Sequence, residues 1–404
     1  MIESMNLESG NTRGKHPGLW GRSFIFLNIS FFLVFTNIAF LYLYPLALEA
    51  MGSEHHVIGL VMGIFSAAAV ISRPFLGKLV ALKGESRVIS SGMAVIFLSS
   101  LCYDVITAFG FNMLLVRVIH GIGFSAFISA GFSLAARVFP PEKRGETFGI
   151  LGAAIMGAVA LAPPFGEILI RNWGFHGLYL AASASVIPAW IAAFMATHPV
   201  SPCTPGKYDK TDISYLRLLR DRSFLFLLIS TIIFAHCQST VPNFLALIAA
   251  EKGTQSGSFF LVSYSVSIMI LVFMGRHIDR HGKLVFMRIA YPFFCLGILF
   301  VPGMIRSTFF PVPATLFGSG MGLLFAAHNA LAADHGSQME KPAVMSIFTA
   351  VYDTGFITGA VLSGWFAHLT NLDILFRTCG ILGFIGFFVV LASPIKDTQR
   401  LTTL

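Results

Sequence analysis

Charge is what this 404-residue sequence has least of. Only 11% of its residues are Asp, Glu, Lys or Arg, where a soluble domain carries roughly 25%. That is too little to cover a water-facing surface. Cysteine is also sparse: Cys102, Cys237, Cys295 and Cys379 lie in apolar stretches, Cys203 lies in a polar one, and no C-x-x-C pair occurs. Neither a disulfide framework nor a metal cluster is indicated. A G-x-x-x-x-G-K-[S/T] phosphate loop, an H-E-x-x-H pair, clustered carboxylates and a Ser-nucleophile motif are all missing. ATP-driven transport and a polytopic membrane enzyme are therefore disfavoured. No small-residue cleavage site marks a signal peptide, so the first apolar segment is expected to stay in the membrane.

What the chain does have is apolar surface. Hydrophobic residues make up 55% of it, with 41 Phe. Lipid is the only partner large enough to cover that excess. A membrane-spanning helix needs about 20 mostly apolar residues, and twelve segments qualify or nearly do: 23–48, 57–79, 88–108, 111–136, 148–170, 173–196, 223–250, 259–275, 284–304, 307–333, 344–369 and 372–391. The runs are long and continuously apolar, which favours helices over barrel strands. Residues 1–21 read as a flexible cytoplasmic N-terminus. Residues 22–198 form one six-helix unit and 222–395 a second. The Pro- and Lys-containing stretch 199–221 is a cytoplasmic linker, and 396–404 a cytoplasmic tail.

The net charge of +8 does not point to nucleic acid, because Lys and Arg sit in the short gaps between apolar runs. With both termini inside, 21 of the 27 fall on the cytoplasmic side and four (Arg171, Lys252, Arg306, Arg377) outside, while Arg73 and Arg117 lie within helices. The positive-inside rule then sets the topology. The halves also repeat. Arg22–Ser30 matches 222–230 at seven of nine places; Gly121-Ile-Gly123 aligns with Gly320-Met-Gly322, and Gly157 and Gly166 align with Gly355 and Gly364. A duplicated six-helix unit is the reading.

Three motifs carry a family resemblance. After the eighth segment comes Gly275-Arg-His-Ile-Asp279-Arg280-His281-Gly282-Lys283; after the second comes Gly77-Lys-Leu-Val-Ala81-Leu82-Lys83-Gly84-Glu85-Ser86-Arg87. These resemble the Gly-x-x-x-Asp-Arg-x-Gly-Arg/Lys loop signature of the major facilitator superfamily. Helix 4 holds Arg117-Val-Ile-His120-Gly121-Ile-Gly123, which is similar to that family's helix 4 motif, associated there with proton coupling. Helix 5 holds Gly157 through Gly166 with Pro163 and Pro164, and resembles the Gly/Pro-rich motif of the family's drug and metabolite exporters. The resemblance implies an all-α membrane protein of twelve helices in two pseudo-symmetric six-helix bundles. It also implies a helix bend at Gly157, Pro163, Pro164 and Gly166. A cytoplasmic gate would form around Gly77, Gly84, Arg87, Gly275, Asp279, Arg280 and Gly282. Since Ala81 stands where the first loop should carry its acid, Asp279 and Arg280 become the better candidates for the charge lock.

Polar residues inside apolar segments are the candidates for solute and proton handling, because burying them costs free energy. They are Arg117, His120, Asp353 with Tyr352, His236, Gln238, His328, Asn329, Asn37 and Tyr42. Glu167 is a further candidate, although it and Asp104 lie toward the external ends, where water should satisfy them. The expected function is alternating-access efflux of a small organic solute from a bacterial cytoplasmic membrane, driven by the proton gradient, with no cofactor and as a monomer. The alternative is a proton symporter for a sugar or organic acid. A non-transporting scaffold is disfavoured, since it has little need of Arg117 and Asp353 in the bilayer.

Overall fold

A backbone in hydrocarbon has no water to bond, so each crossing segment must satisfy its own N–H and C=O groups as a helix. The computed structural model describes residues 21–138, 144–197, 215–337 and 340–394; for 138, 144–147, 215–216, 275–281 and 342 it describes the backbone alone. Among the described residues, ten helices are long and apolar enough to cross a membrane. They are α1 (Arg22–Ala50), α2 (His55–Lys83), α3 (Glu85–Val105), α4 (Phe111–Val138), α7 (Arg222–Glu251), α8 (Gly257–His281), α10 (Pro311–Asp334), α11 (Lys341–Leu369), α12 (Leu372–Leu391) and one double-length run, Arg144–Thr197. That run breaks at Gly174, whose φ of 65° and ψ of −167° lie outside the helical region, and so divides into α5 (144–173) and α6 (175–197). The remaining rod is α9 (Lys283–Leu299), 17 residues long and followed by a helical turn, Val301–Met304. The rods match the twelve segments of the sequence.

The helix runs on through Pro163 and Pro164, neither of which has an N–H to donate, and gives way at Gly174, where a positive φ is cheap only for glycine.

The rods alternate in direction, so Lys83, Arg137, Arg222, Lys283 and Lys341 gather at one end, here termed the basic end. Packing differs between the two ends. One apolar core, from Phe24, Leu27, Phe31, Leu76, Val88 and Ala193, is confined to the basic end of the first bundle. A second runs from Leu43, Tyr44 and Leu48 of the first bundle straight into Phe244, Leu247 and Phe260 of the other. The bundles are thus fused at the end opposite the basic one and separate toward the basic end. α7 lies at the centre of this join, buried on every side from Cys237 to Ala249.

Two seams make the join, and the duplication relates them. On α2, a Cβ at Gly59 would stand 2.5 Å from the Ala360 oxygen and 2.8 Å from Gly364 Cα of α11. On α8, a Cβ at Gly257 would stand 2.6 Å from Pro164 Cα of α5. Only glycine permits such backbone approach. The same contacts revise the register of the repeat. Gly121 faces the Phe65 oxygen of α2 as Gly318 faces the Ser263 oxygen of α8, and Gly123 packs on α3 as Gly320 packs on α9. Helix 4 therefore aligns with helix 10 two residues earlier than its G-x-G pattern suggested. Gly318-Ser-Gly320-Met-Gly322 offers two such patterns, and the neighbouring backbones select the first.

At the basic end the repeat keeps a contact and reverses its polarity. Glu85, at the start of α3, takes Arg137 of α4 at 3.0 Å and Ser133 Oγ at 3.2 Å. At the matching place Lys283 of α9 pairs with Asp334 of α10.

Candidate functional site

Between the bundles lies a cavity of about 750 Å³, within the range of small-molecule sites. Its walls come from both bundles, and it reaches from Tyr42, Arg117 and Tyr264 at depth to Gly77, Phe132, Gly152 and Asn329 near the basic end. Most of the lining is aromatic or aliphatic, with separate polar groups between.

The chief of these is an ion pair. Asp353 of α11 meets the Arg73 guanidinium of α2. The two helices touch backbone to backbone at Gly59 and Gly364. Fourteen residues further along α2, or roughly 21 Å, these two side chains reach across from one helix to the other. The helices thus form a wedge with its apex at the fused end. Beside Asp353, the Tyr352 hydroxyl donates to Gln238 Oε1 at 2.8 Å, fixing both on the cavity wall.

Arg117 reaches the cavity from α4 and is 3% exposed. Its Nε donates to the Val61 carbonyl at 3.1 Å and Nη1 to the Tyr103 hydroxyl at 3.4 Å; the guanidinium carbon stands 4.8 Å from the Phe65 ring centre. An arginine over aromatic faces is stabilised by their quadrupoles. Among the described residues it has no carboxylate partner. Behind it runs an ordered chain of hydrogen bonds. Asn37 Nδ2 donates to Ser100 Oγ and the Ala182 carbonyl, both at 2.8 Å, which leaves its oxygen to accept from His120 Nε2 at 3.2 Å. His120 Nδ1 then accepts from Tyr103 at 3.0 Å. This assignment makes His120 a neutral imidazole. Asn37 and His120 lie behind the wall and hold Arg117 in place through Tyr103.

Of the other sequence candidates, Tyr42, Gln238, Asn329 and Tyr352 line the cavity. His236 turns to Thr358 of α11 at 3.2 Å. His328 is fully buried between Ser230 Oγ and the Leu324 carbonyl, stacked on Phe234. Both histidines tie helices together away from the cavity. The helical context singled out polar residues but not which side of the rod they face. Arg73, Asn243 and Tyr264 line the cavity although no motif marked them. Arg73 lies ten residues before the end of α2; its sequence placed it within a helix but attached no motif to it.

Glu167 corrects an expectation. Water was to satisfy it, yet its Oε1 accepts from Ser256 N at 2.7 Å, Ser256 Oγ at 2.8 Å and Gly257 N at 3.0 Å. α8 has no side-chain cap of its own, and a carboxylate of the other bundle supplies it. The orphan N–H groups and positive helix terminus favour that charge. Glu167→Ala should open the fused end by about 2 kcal/mol, a roughly 30-fold shift in the ratio of the two states. Spin labels at Phe109 and Thr308, on either side of that end, would show the longer distance. Glu167→Gln, which keeps an acceptor, should shift it less.

At the basic end, Gly84 and Gly282 both have positive φ, 80° and 98°, as tight turns require. Gly77 meets nothing within 4 Å of a Cβ. The bundles are apart at that end. Arg87 is exposed. The side chains of Gly275, Asp279 and Arg280 lie outside the described residues, as does most of the linker.

Known proteins agree with this architecture. An uncharacterized MFS-type transporter of Methanocaldococcus jannaschii, MJ1560, is 26% identical over 354 residues, covering 83% of this chain and 89% of its own. The quinolone resistance protein NorA of Staphylococcus aureus is 23% identical over 228 residues, 56% of this chain and 58% of its own. The structure of the nucleoside transporter NupG, solved as a point mutant, superposes with a TM-score of 0.77 over 92% of this chain and 100% of that one, at 13% identity, which speaks for the fold. The sequence profile of the Major Facilitator Superfamily matches residues 25–305 and 227–402. With a profile match across both halves, a wedge cavity between them and two glycine seams related by the repeat, the chain belongs to the Major Facilitator Superfamily of transporters.

Proposed function

We propose that the chain exports a small organic solute in exchange for protons, by alternating access. The observation that carries this is the Arg73–Asp353 pair, an acid–base contact between bundles across the mouth of a cavity sealed at its other end. An isolated charge in a low-dielectric wall is costly. Protonating Asp353 therefore weakens the hold on Arg73 and lets the bundles change their angle, while deprotonation restores it. With the basic end cytoplasmic by the charge rule, the cavity faces inward, ready to load solute from the cytoplasm. Similarity to NorA and the helix 5 motif favour export.

The cavity wall also suggests the kind of solute. Two arginines and one aspartate line it, and the aspartate is taken by Arg73. Arg117 lines the cavity and, among the described residues, has no acid to meet its charge. An apolar or aromatic body with one anionic group fits best: the body lies against Phe and Tyr, and the anion meets the guanidinium fork. Arg117→Ala should weaken binding of such a solute at least 30-fold by equilibrium dialysis in detergent and leave a neutral analogue unchanged. Equal losses for both would remove the assignment.

A proton symporter importing a polar nutrient is the second reading. It draws on the amide groups of Gln238, Asn243 and Asn329 in the same wall. Vesicles with an acid interior separate the two. Solute added outside should make the lumen more alkaline in an exchanger, and more acid in a symporter.

A further inference from the structure

The fused end carries a cluster that transport chemistry does not use. Glu54 precedes α2, His56 lies in its first turn, and His368 lies in the last turn of α11. Their ligand atoms all fall within 4.8 Å of one another. Glu54 Oε2 is 3.3 Å from His56 Nδ1 and 3.5 Å from His368 Nδ1. The two imidazole rings stand 4.4 Å apart, centre to centre, and Trp365 packs on His56 at 5.0 Å.

We propose that these three side chains form a binding site for a divalent transition metal, of which Zn²⁺ is the test case, and that the metal staples the two bundles together. Zinc takes imidazole nitrogen and carboxylate oxygen at about 2.0–2.1 Å in tetrahedral geometry, which sets neighbouring ligands about 3.3–3.4 Å apart. Two edges of the triangle, at 3.3 and 3.5 Å, are already close to that length, and small rotations of the histidines would close the third. His56 Nδ1 is buried and, although 3.3 Å from the carboxylate, makes no hydrogen bond. No N–H at this nitrogen is aimed at that oxygen, as one would be in a plain His–Glu hydrogen bond. Two imidazoles and one carboxylate are the donor set of an open zinc site, with the fourth position left to water. The donors also divide across the seam. Two belong to the first bundle and one to the second, just beyond the place where a Cβ at Gly364 would stand 2.7 Å from the His55 oxygen. A metal bound here holds α2 against α11 and must be lost, or its cage broken, before this end can open.

Binding itself does not depend on the transport reading; the stapling effect rests on it. Purified full-length protein, freed of any histidine tag, should be titrated with Zn²⁺ against a chromophoric chelator. The expected result is one Zn²⁺ per chain, with affinity lowered at least tenfold by His56→Ala and by His368→Ala alike, and unchanged by His55→Ala. Zinc should raise the Tm of the unsubstituted protein and not that of His368→Ala, whose own Tm without zinc reports its folding. Equal zinc affinity in the unsubstituted protein and His368→Ala would overturn the site and leave the cluster a hydrogen-bonded one. In proteoliposomes, micromolar Zn²⁺ on the side of the fused end should stop flux through the unsubstituted protein and not through His368→Ala. Full zinc binding without loss of flux would overturn the staple. Flux absent without zinc would count against the transport reading instead, and leave the titration standing.

Discussion

Asp353→Asn is expected to abolish solute movement driven by a pH gradient in proteoliposomes, while solute already on both sides still exchanges. Asn keeps the size of the side chain and an acceptor oxygen but cannot cycle between charged and neutral forms. The Arg73 guanidinium then faces the same group whatever the pH, and the bundles receive no signal from the proton. Arg73→Gln should fail differently. Asp353 loses its counter-charge and, in a half-buried wall, is stabilised in its protonated form, so the wedge should rest in the state in which the pair is parted. Removing one partner of a fully buried pair costs about 3–5 kcal/mol. Here Arg73 is 35% and Asp353 18% exposed, so the loss in stability should be smaller and the proteins should fold. The double variant Arg73→Gln with Asp353→Asn should recover the stability of the unsubstituted protein without recovering coupling. Gradient-driven flux retained by Asp353→Asn would sink the assignment of this pair.

Gly59→Val should have an effect as large, from steric rather than electrical causes. A Cβ at Gly59 would lie within 3 Å of the Ala360 oxygen and Gly364 Cα. Both are backbone atoms, so no rotamer change relieves the clash. The seam must part. An exporter visits a state in which this end is open, so the variant should fold and be trapped there. Labels at Phe109 and Thr308 should show the long distance as the major population, and the cavity should no longer bind solute from the basic side. Gly257→Val, at the symmetric seam on Pro164, should do the same. Short distances in both variants would show that the glycines are needed for folding alone.

The rods were legible in the sequence because hydropathy acts along a single segment, and every predicted span has its helix. The turn glycines Gly84 and Gly282 were legible too, since one residue in one loop carries the whole requirement. What could not be read was which face each polar residue presents and which distant residue answers it. Asp353 stood out as a carboxylate at mid-depth, but its partner lies 280 residues away, with nothing in either segment to connect them. His236 and His328 looked alike in composition to the cavity residues; rotation about their helix axes places them elsewhere. Gly59 and Gly257 belong to no motif, and their role is visible only once the opposing backbone is in place. Glu167 was set near a helix end, correctly in sequence, yet the donors that meet it belong to the other bundle.

The reversed polarity of Glu85–Arg137 and Lys283–Asp334 has a consequence for how the molecule divides its electrical work. Each of these contacts is internal to one bundle, so each half neutralises those rim charges without consulting the other. The sign of such a bond is then free to drift after duplication, provided both partners change together. Among the described residues, Arg73–Asp353 is the one pairing of an arginine or lysine with a carboxylate that joins the halves. The two modules share few contacts of that kind, so a change of charge at Asp353 would meet little opposition from other arginine or lysine pairs across the gap.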